Sequence, residues 1–288
     1  MKPSVPILAV VTALAAASAP AQPTKELVKA ELLADVSSIK PGDSFSVGVL
    51  LRIEKGWHVY WENPGDSGLA TSVKFTAPPG FEVGPLQYPV PVRFDQPGSI
   101  VGYGYLDRVL LTARVTPPPT LQTTGSIPLS ANVHWLCCEK VCVPGSAKLS
   151  LSLPIGDAAS ANKELFDEWR PRVPVDAAAA GVTINSLGSA DAAGNVDSRI
   201  VIVTWPEEVK DVQWFPAASD VLSISAVEIT PIDDGKVARI TFSTRVLDGQ
   251  KLTQDKLPSV AAYTDKQGIR RGVKVDVPLK GKAVRFSP

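Results

Sequence analysis

The sequence predicts an all-β fold made of two β-sandwich domains joined by a short helical connector. Three observations support this prediction: many short apolar stretches alternate like half-buried strands, turn-rich segments separate them, and the chain contains 26 prolines and 21 glycines. With 288 residues the chain is also longer than one small domain needs. We therefore expect one β domain on each side of the connector.

The first predicted domain covers residues 22–156. Apolar side chains occupy every second position from Phe45 to Ile53, which is the period of a half-buried strand. The same reasoning predicts further strands at residues 71–76, 109–115, 127–135 and 147–153. Turns rich in proline and glycine at residues 63–65, 78–80 and 96–98 separate these strands.

The predicted connector covers residues 157–180, and the second domain follows at residues 181–288. Within the connector, residues 160–170 carry Leu165, Phe166 and Trp169 at helical spacing and stop before Pro171. An alanine-rich stretch follows at residues 175–180. Strand patterns then resume at residues 199–205, 221–230, 237–246, 260–263 and 273–277.

The first 21 residues have the pattern of a cleavable signal peptide. Lys2 precedes an apolar run at residues 5–17, and Ala19 and Ala21 fit a signal peptidase site, so the mature chain is expected to begin near Gln22. The apolar run is shorter than the roughly 20 residues of a membrane span. We expect a soluble exported protein without direct membrane insertion, which in a bacterium means the periplasm, where disulfides persist.

The charge balance argues against nucleic acid or an anionic membrane surface as a partner. The 29 basic and 29 acidic residues leave a formal net charge of zero, without the basic excess that such polyanions attract. Proteins or small molecules are the expected partners.

All three cysteines lie within residues 135–144. If the strand at residues 127–135 continues, its odd-numbered apolar positions place Cys137 toward the core and Cys138 outward, on the side of His134. A buried free cysteine behaves as a small hydrophobe, whereas an outward cysteine beside polar neighbours can react. Cys137 is therefore predicted to be a structural or spare thiol, whereas Cys138 is predicted to face outward, where a cysteine can react.

Cys138 and Cys142 can pair only if the chain turns between them. On an extended strand their Cα atoms would be ~13 Å apart, beyond the ~7 Å limit for a disulfide. The strands at residues 127–135 and 147–153 predict a hairpin with the pair at its tip. So small a ring restricts the unfolded chain little, and short exposed disulfides tend to be labile, which favours exchange. A purely structural disulfide remains open.

The segment at residues 135–145 resembles the active-site stretch of the periplasmic N-terminal domain of DsbD-type thiol:disulfide interchange proteins, in particular the ScsB-like branch. Residues 56–68, 101–105 and 214–216 are similar to further family motifs. Cys138 and Cys142 fall on the two active-site positions, and Cys137 falls on a variable one. Full-length members continue into a membrane electron transporter and a thioredoxin-like domain, so the chain resembles the receiving domain alone.

The resemblance implies an immunoglobulin-like redox domain that acts as a dithiol carrier without a cofactor. A membrane thiol-disulfide electron transporter would reduce its disulfide, and periplasmic thioredoxin-fold proteins would receive the electrons, which makes the protein a protein-disulfide reductase. In this interpretation Cys142 forms the mixed disulfide with the partner and Cys138 resolves it.

Several residues are candidates for supporting this chemistry. Some aromatic side chains would cover the sulfurs unless they merely pack in the core; these are Tyr60, Trp61, Tyr103 and Tyr105. Two carboxylates, Glu62 and Asp66, could relay a proton or form turns. The remaining candidates flank the cysteine pair in sequence: His134, Trp135 and Pro144.

Two other classes of function remain open. Cu(I) binding in copper tolerance would use soft thiolates together with a histidine; its candidate ligands are Cys137, Cys138, Cys142 and His134, with His58 as a further imidazole. Against this, His134 lies four residues from Cys138 on an extended strand, so it could reach a Cu(I) ion bound by Cys138 only if the strand bends. The other class is a non-catalytic β-sandwich binding module with a structural disulfide.

Overall fold

A computed structural model describes residues 26–96, 98, 100–121, 125–157, 159–190 and 197–279. The predicted signal peptide at residues 1–21 lies outside these residues. The described chain consists mainly of β-strands in four sheets, with one short α-helix, which confirms the all-β prediction. Within the described residues, no helix is both long and apolar enough to cross a bilayer.

Ten strands form the first half of the chain. They are β1 (Val28–Ala34), β2 (Phe45–Ile53), β3 (His58–Gly65), β4 (Ser72–Thr76), β5 (Glu82–Val83), β6 (Val92–Gln96), β7 (Ile100–Leu106), β8 (Arg108–Thr116), β9 (Ser126–Cys138) and β10 (Cys142–Pro154). One sheet has the order β1-β2-β8-β5. The other has the order β10-β9-β3-β7-β6, with β4 paired to β9 beside β3. We call the second one the redox sheet, because it carries the cysteines.

The second half of the chain forms two more four-stranded sheets. Its strands are β11 (Val175–Asp176), β12 (Thr183–Ala190), β13 (Asp197–Thr204), β14 (Lys210–Pro216), β15 (Leu222–Ile232), β16 (Val237–Val246), β17 (Lys256–Thr264) and β18 (Arg270–Pro278). The sheet orders are β11-β18-β17-β14 and β12-β13-β16-β15. Alternating apolar side chains of β16 and β18 are buried between the sheets, which is the packing of a β-sandwich.

Between the two halves lies the helix α1 (Lys163–Trp169), which is shorter than the predicted helix at residues 160–170. A 3₁₀ turn at Arg170–Arg172 follows, because Pro171 cannot continue an α-helix. Phe166 and Trp169 of α1 are buried in the core of the first domain, where Phe166 lies over Gly48 of β2. The helix is therefore packed as part of the first domain.

The two domains also share part of a core on the inner face of the redox sheet. Phe215 of β14 is fully buried, and its ring centroid lies 5.9 Å from that of Trp61 and 5.2 Å from that of Tyr103. Beside it, the Asn63 side-chain amide donates a buried hydrogen bond of 2.7 Å to the Pro216 carbonyl. Part of the inner face of the redox sheet is thus covered by the second domain.

Candidate functional site

The cysteine pair lies at the tip of a long hairpin formed by β9 and β10. The strands pair residue by residue from Ser126 opposite Pro154 up to Cys138 opposite Cys142, so both strands extend further than the sequence predicted. Three residues, 139–141, close the turn, with the Glu139 amide donating to the Val141 carbonyl at 3.2 Å. Because the chain reverses here, the two Cα atoms lie 4.2 Å apart and the sulfurs form a disulfide.

The two bonded cysteines differ in exposure. Cys142 is exposed on β10, the edge strand of the redox sheet, whereas Cys138 is only 2% exposed. The sequence predicted an accessible Cys138, and the structure corrects this prediction. Cys138 does lie on the outer face of the sheet, but β3 pairs with β9 at this point and places His58 directly opposite Cys138.

Three rings cover this part of the outer face. The His58 ring lies 4.2 Å from the ring of Phe94 and 5.1 Å from that of Tyr60, measured between centroids. Phe94 belongs to β6 and lies across Gly102 of β7, where a Cβ atom would overlap its ring. Tyr60 is 1% exposed. Phe94 was not predicted to lie over Cys138, because neither β6 nor its pairing with β7 was predicted.

His58 has a buried ring nitrogen without a hydrogen-bond partner. The residue is 8% exposed, and Nε2 forms no hydrogen bond with any of the described residues. Burial lowers the pKa of the imidazole below its usual value of 6.5, because desolvation disfavours the charged form. From the sequence, His58 was predicted only as a candidate copper ligand.

Three aromatic residues that were candidates for the cover face the interior instead. Trp61 and Tyr103 pack against Phe215 of the second domain. The buried Tyr105 hydroxyl donates to the Pro89 carbonyl at 2.8 Å, and desolvation raises its pKa well above 10. Alternation along β3 and β7 explains this, since side chains next to outward positions point inward. Of the four candidates, Tyr60 alone is on the face of Cys138.

The two candidate carboxylates are also directed away from the disulfide. Asp66 closes a loop, because its side chain accepts a hydrogen bond of 2.8 Å from the Val101 amide. Glu62 lies at the mouth of a cavity of about 360 Å³ between the domains, which Trp61 and Tyr88 also line. Partial burial raises the pKa of Glu62. Burial of Tyr88, together with the nearby charge of Glu62, raises the pKa of the Tyr88 hydroxyl to about 12.

The residues that flank the cysteines have mainly structural positions. His134 is exposed and lies opposite Ser146 and Ser72, four positions along β9 from Cys138. The indole of Trp135 lies against Gly145, where a Cβ atom would overlap it. Pro144 is exposed opposite Leu136.

Cys137 is a buried free thiol, as the alternation predicted. It is 1% exposed and lies in the core between its register partners Val59 and Val143, on the face opposite Cys138. Desolvation raises the pKa of its thiol to about 11, so it stays protonated at neutral pH. Among the residues that the structure describes, no three His, Cys, Asp or Glu side chains form a group that could hold a metal ion. The Cu(I) interpretation stays a prediction.

Comparison with known proteins gives a family match for the first half of the chain and a structural match for most of it. Residues 24–154 match the family model described as thiol:disulfide interchange protein DsbD, N-terminal. The N-terminal periplasmic domain of ScsB from Proteus mirabilis is similar in structure, with a TM-score of 0.63 and 16% identity over 90% of this chain and 96% of that chain. The major pilin subunit BcpA from Bacillus cereus gives a TM-score of 0.29 and 10% identity over 89% of this chain and 68% of that chain. No curated protein matches the sequence.

The first half of the chain is therefore an immunoglobulin-like domain with a cysteine pair at the tip of a hairpin. Within that class, residues 24–154 form a DsbD-type N-terminal domain.

Proposed function

We propose that this protein exchanges thiols and disulfides with partner proteins in the periplasm through Cys138 and Cys142. The observation that carries the proposal is the disulfide at the hairpin tip of a DsbD-type domain, with one sulfur exposed and the other covered. An exposed sulfur can meet a partner's sulfur, and a covered one beside it can release that partner.

In the reduced protein, the Cys142 thiolate attacks a sulfur of the partner's disulfide. A bond forms between Cys142 and the partner, and the partner's other sulfur leaves as a thiolate. The Cys138 thiol then loses its proton and attacks the Cys142 sulfur, which breaks the mixed disulfide. The protein ends as the Cys138–Cys142 disulfide, and two electrons have reduced the partner's disulfide to a dithiol.

A membrane thiol-disulfide electron transporter would regenerate the dithiol, and thioredoxin-fold proteins of the periplasm would be the acceptors. The match of residues 24–154 to the DsbD N-terminal family supports exchange with redox partners in general, and the fold shared with a periplasmic domain of ScsB supports the compartment. In this role the protein is a protein-disulfide reductase that uses its own two sulfurs and needs no other redox group.

Trapping of mixed disulfides tests the proposal. In a Cys137→Ala background, the Cys138→Ala variant lacks the resolving sulfur, so it is expected to accumulate mixed disulfides with periplasmic proteins that disappear on reduction. The matched Cys142→Ala variant should trap few or none, because Cys138 is covered.

Two results would contradict the proposal. One is that neither variant captures a partner. The other is that the disulfide of the unchanged protein resists mild reduction by a dithiol while the protein stays folded, as a structural disulfide would. Tight Cu(I) binding that requires Cys138 and Cys142, without any captured partner, would favour the copper interpretation instead.

A further inference from the structure

We propose that His58 is the base that removes the proton from Cys138 when Cys138 resolves the mixed disulfide. This proposal rests on the exchange function and adds a catalytic residue to it. Resolution needs the Cys138 thiolate, since a thiol is a poor nucleophile. Cys138 is 2% exposed, so bulk water has little access to its proton.

The pairing of β3 with β9 brings His58 to the required place. His58 and Cys138 are register partners on antiparallel strands, and side chains of such pairs lie on the same face with their Cβ atoms about 4.5–5.5 Å apart. Cys142 continues the same row as the register partner of Cys138. An imidazole in this position can therefore reach the Cys138 sulfur from the side opposite Cys142.

The unpartnered Nε2 atom of His58 is explained if its hydrogen-bond donor is the Cys138 thiol, which exists only in the reduced protein. A buried polar atom without a hydrogen bond destabilises the fold, and native proteins rarely leave one unsatisfied. In the disulfide form Cys138 has no proton to donate. Reduction creates an S–H group opposite the imidazole, and this group would supply the missing partner.

The other groups around His58 do not compete for this role. Phe94 has no polar atom, and the Tyr60 hydroxyl accepts a hydrogen bond of 3.4 Å from Gln96. The neighbouring elements carry charged residues at Glu139 and Lys140 in the turn after β9, and at Arg93 and Asp95 of β6, which form an ion pair of 3.1 Å with each other. None of them donates to or accepts from His58, and burial keeps the imidazole neutral at neutral pH, which is the form that accepts a proton.

The Cys138 Sγ–H bond breaks and its proton moves to His58 Nε2, while the electron pair stays on Cys138. The resulting thiolate attacks Cys142 Sγ, and the partner's sulfur leaves as a thiolate. The proton on His58 then passes to that thiolate or to water, which restores the neutral imidazole.

The test uses the reduced protein with Cys137→Ala and dithiobisnitrobenzoate as the disulfide. Attack by Cys142 releases one coloured thiolate in a first phase, and resolution by Cys138 releases a second one. The His58→Gln variant keeps a polar side chain that cannot titrate. It is expected to leave the first phase unchanged and to slow the second about 100-fold at neutral pH. The chain's other histidine provides the matched control, since the exposed His134→Gln variant should change neither phase.

The pH profile provides a measurement that does not depend on the variant's folding. In the protein with His58, the rate of the second phase should rise with pH, with a midpoint below pH 6.5, and then reach a plateau. In His58→Gln the rate should instead follow the ionisation of the Cys138 thiol. The proposal would be overturned if the rate of the second phase in the protein with His58 followed only the ionisation of the thiol. It would also be overturned if a folded His58→Gln variant showed the same second-phase rate as the protein with His58. If trapping captures no partner, the exchange function fails, but this readout still decides the role of His58.

Discussion

Phe94 lies over the outer face of the redox sheet because Gly102 leaves room for its ring. The Gly102→Ala substitution should displace the ring and expose His58 and Cys138. We therefore expect faster alkylation of Cys138 in the reduced protein, measured by mass spectrometry of the modified peptide. The gain should be several-fold, because only part of the cover moves.

Gly156→Ala is the control for this substitution, because a Cβ atom there meets nothing closer than Ser38 at 3.9 Å. It should leave the alkylation rate of Cys138 unchanged. Equal rates in the Gly102→Ala and unchanged proteins would show that Phe94 does not limit access to the sulfur.

Protonation of His58 should make stability depend on pH. Burial lowers the pKa of His58 in the folded protein below its unfolded value of 6.5, so the unfolded chain binds the proton more tightly. The contribution of His58 to stability is therefore complete above pH 6.5 and is lost as the pH falls through the lower, folded pKa. Urea unfolding at neutral and mildly acidic pH should show a smaller loss of unfolding free energy in His58→Gln than in the unchanged protein. An identical loss in both proteins would contradict the assignment.

The β9–β10 hairpin depends little on its disulfide for stability. Pairing continues from the tip to Pro154, and the ring closed by Cys138 and Cys142 spans a sequence separation of four residues. Loop entropy for so small a ring gives about 2 kcal/mol at most. Reduction should therefore lower the unfolding free energy by no more than this, as measured by urea unfolding with and without a dithiol. A much larger loss would indicate a disulfide whose main role is structural.

Strands with a sustained apolar pattern could be predicted from the sequence, even where both faces are buried as in β2, whereas strands rich in turn-forming residues or glycine could not. The pattern predicted β16 with its observed bounds, Val237–Val246. It missed β3, whose last three residues were predicted as a turn. It also missed β7, in which glycines alternate with aromatic residues. His58 and Tyr60 of β3 and Phe94 of β6, which pairs with β7, cover Cys138, so the burial of its sulfur could not be predicted.

The meeting of Cys138 and Cys142, in contrast, could be predicted, because it depends on local chain geometry. His58 lies beside Cys138 because β3 pairs with β9, about 80 residues further along the chain. Phe94 lies beside His58 because β7, the partner of β6, pairs with β3 across about 40 residues. A histidine within the glycine- and tryptophan-rich segment at residues 56–68 was the one available signal.

Phe215 connects the two domains energetically. It is fully buried between Trp61 and Tyr103 of the redox sheet, although its own strand belongs to the second domain. Phe215→Ala should lower the unfolding free energy by about 3–5 kcal/mol, and should also speed hydrogen exchange in β3 and β7 of the first domain. Hydrogen exchange with mass spectrometry measures both effects.

Phe242→Ala is the matched control. Phe242 is 2% exposed and stacks on Trp214 at 4.3 Å, inside the core of the second domain. Its loss should be similarly destabilising but should leave exchange in β3 and β7 unchanged. If the two variants affect these strands alike, the domains do not support each other through Phe215.

The two faces of β9 also have a consequence for how the protein acquires its disulfide. In an unfolded chain Cys137 and Cys138 are almost equally close to Cys142 in sequence, so oxidation before folding would give a mixture of bonded isomers. Once β9 has formed, Cys137 is sealed in the core and Cys138 stands beside Cys142. Formation of β9 before oxidation therefore selects the Cys138–Cys142 disulfide. A chain that formed the Cys137–Cys142 disulfide first would need that bond reduced before β9 and β10 could pair.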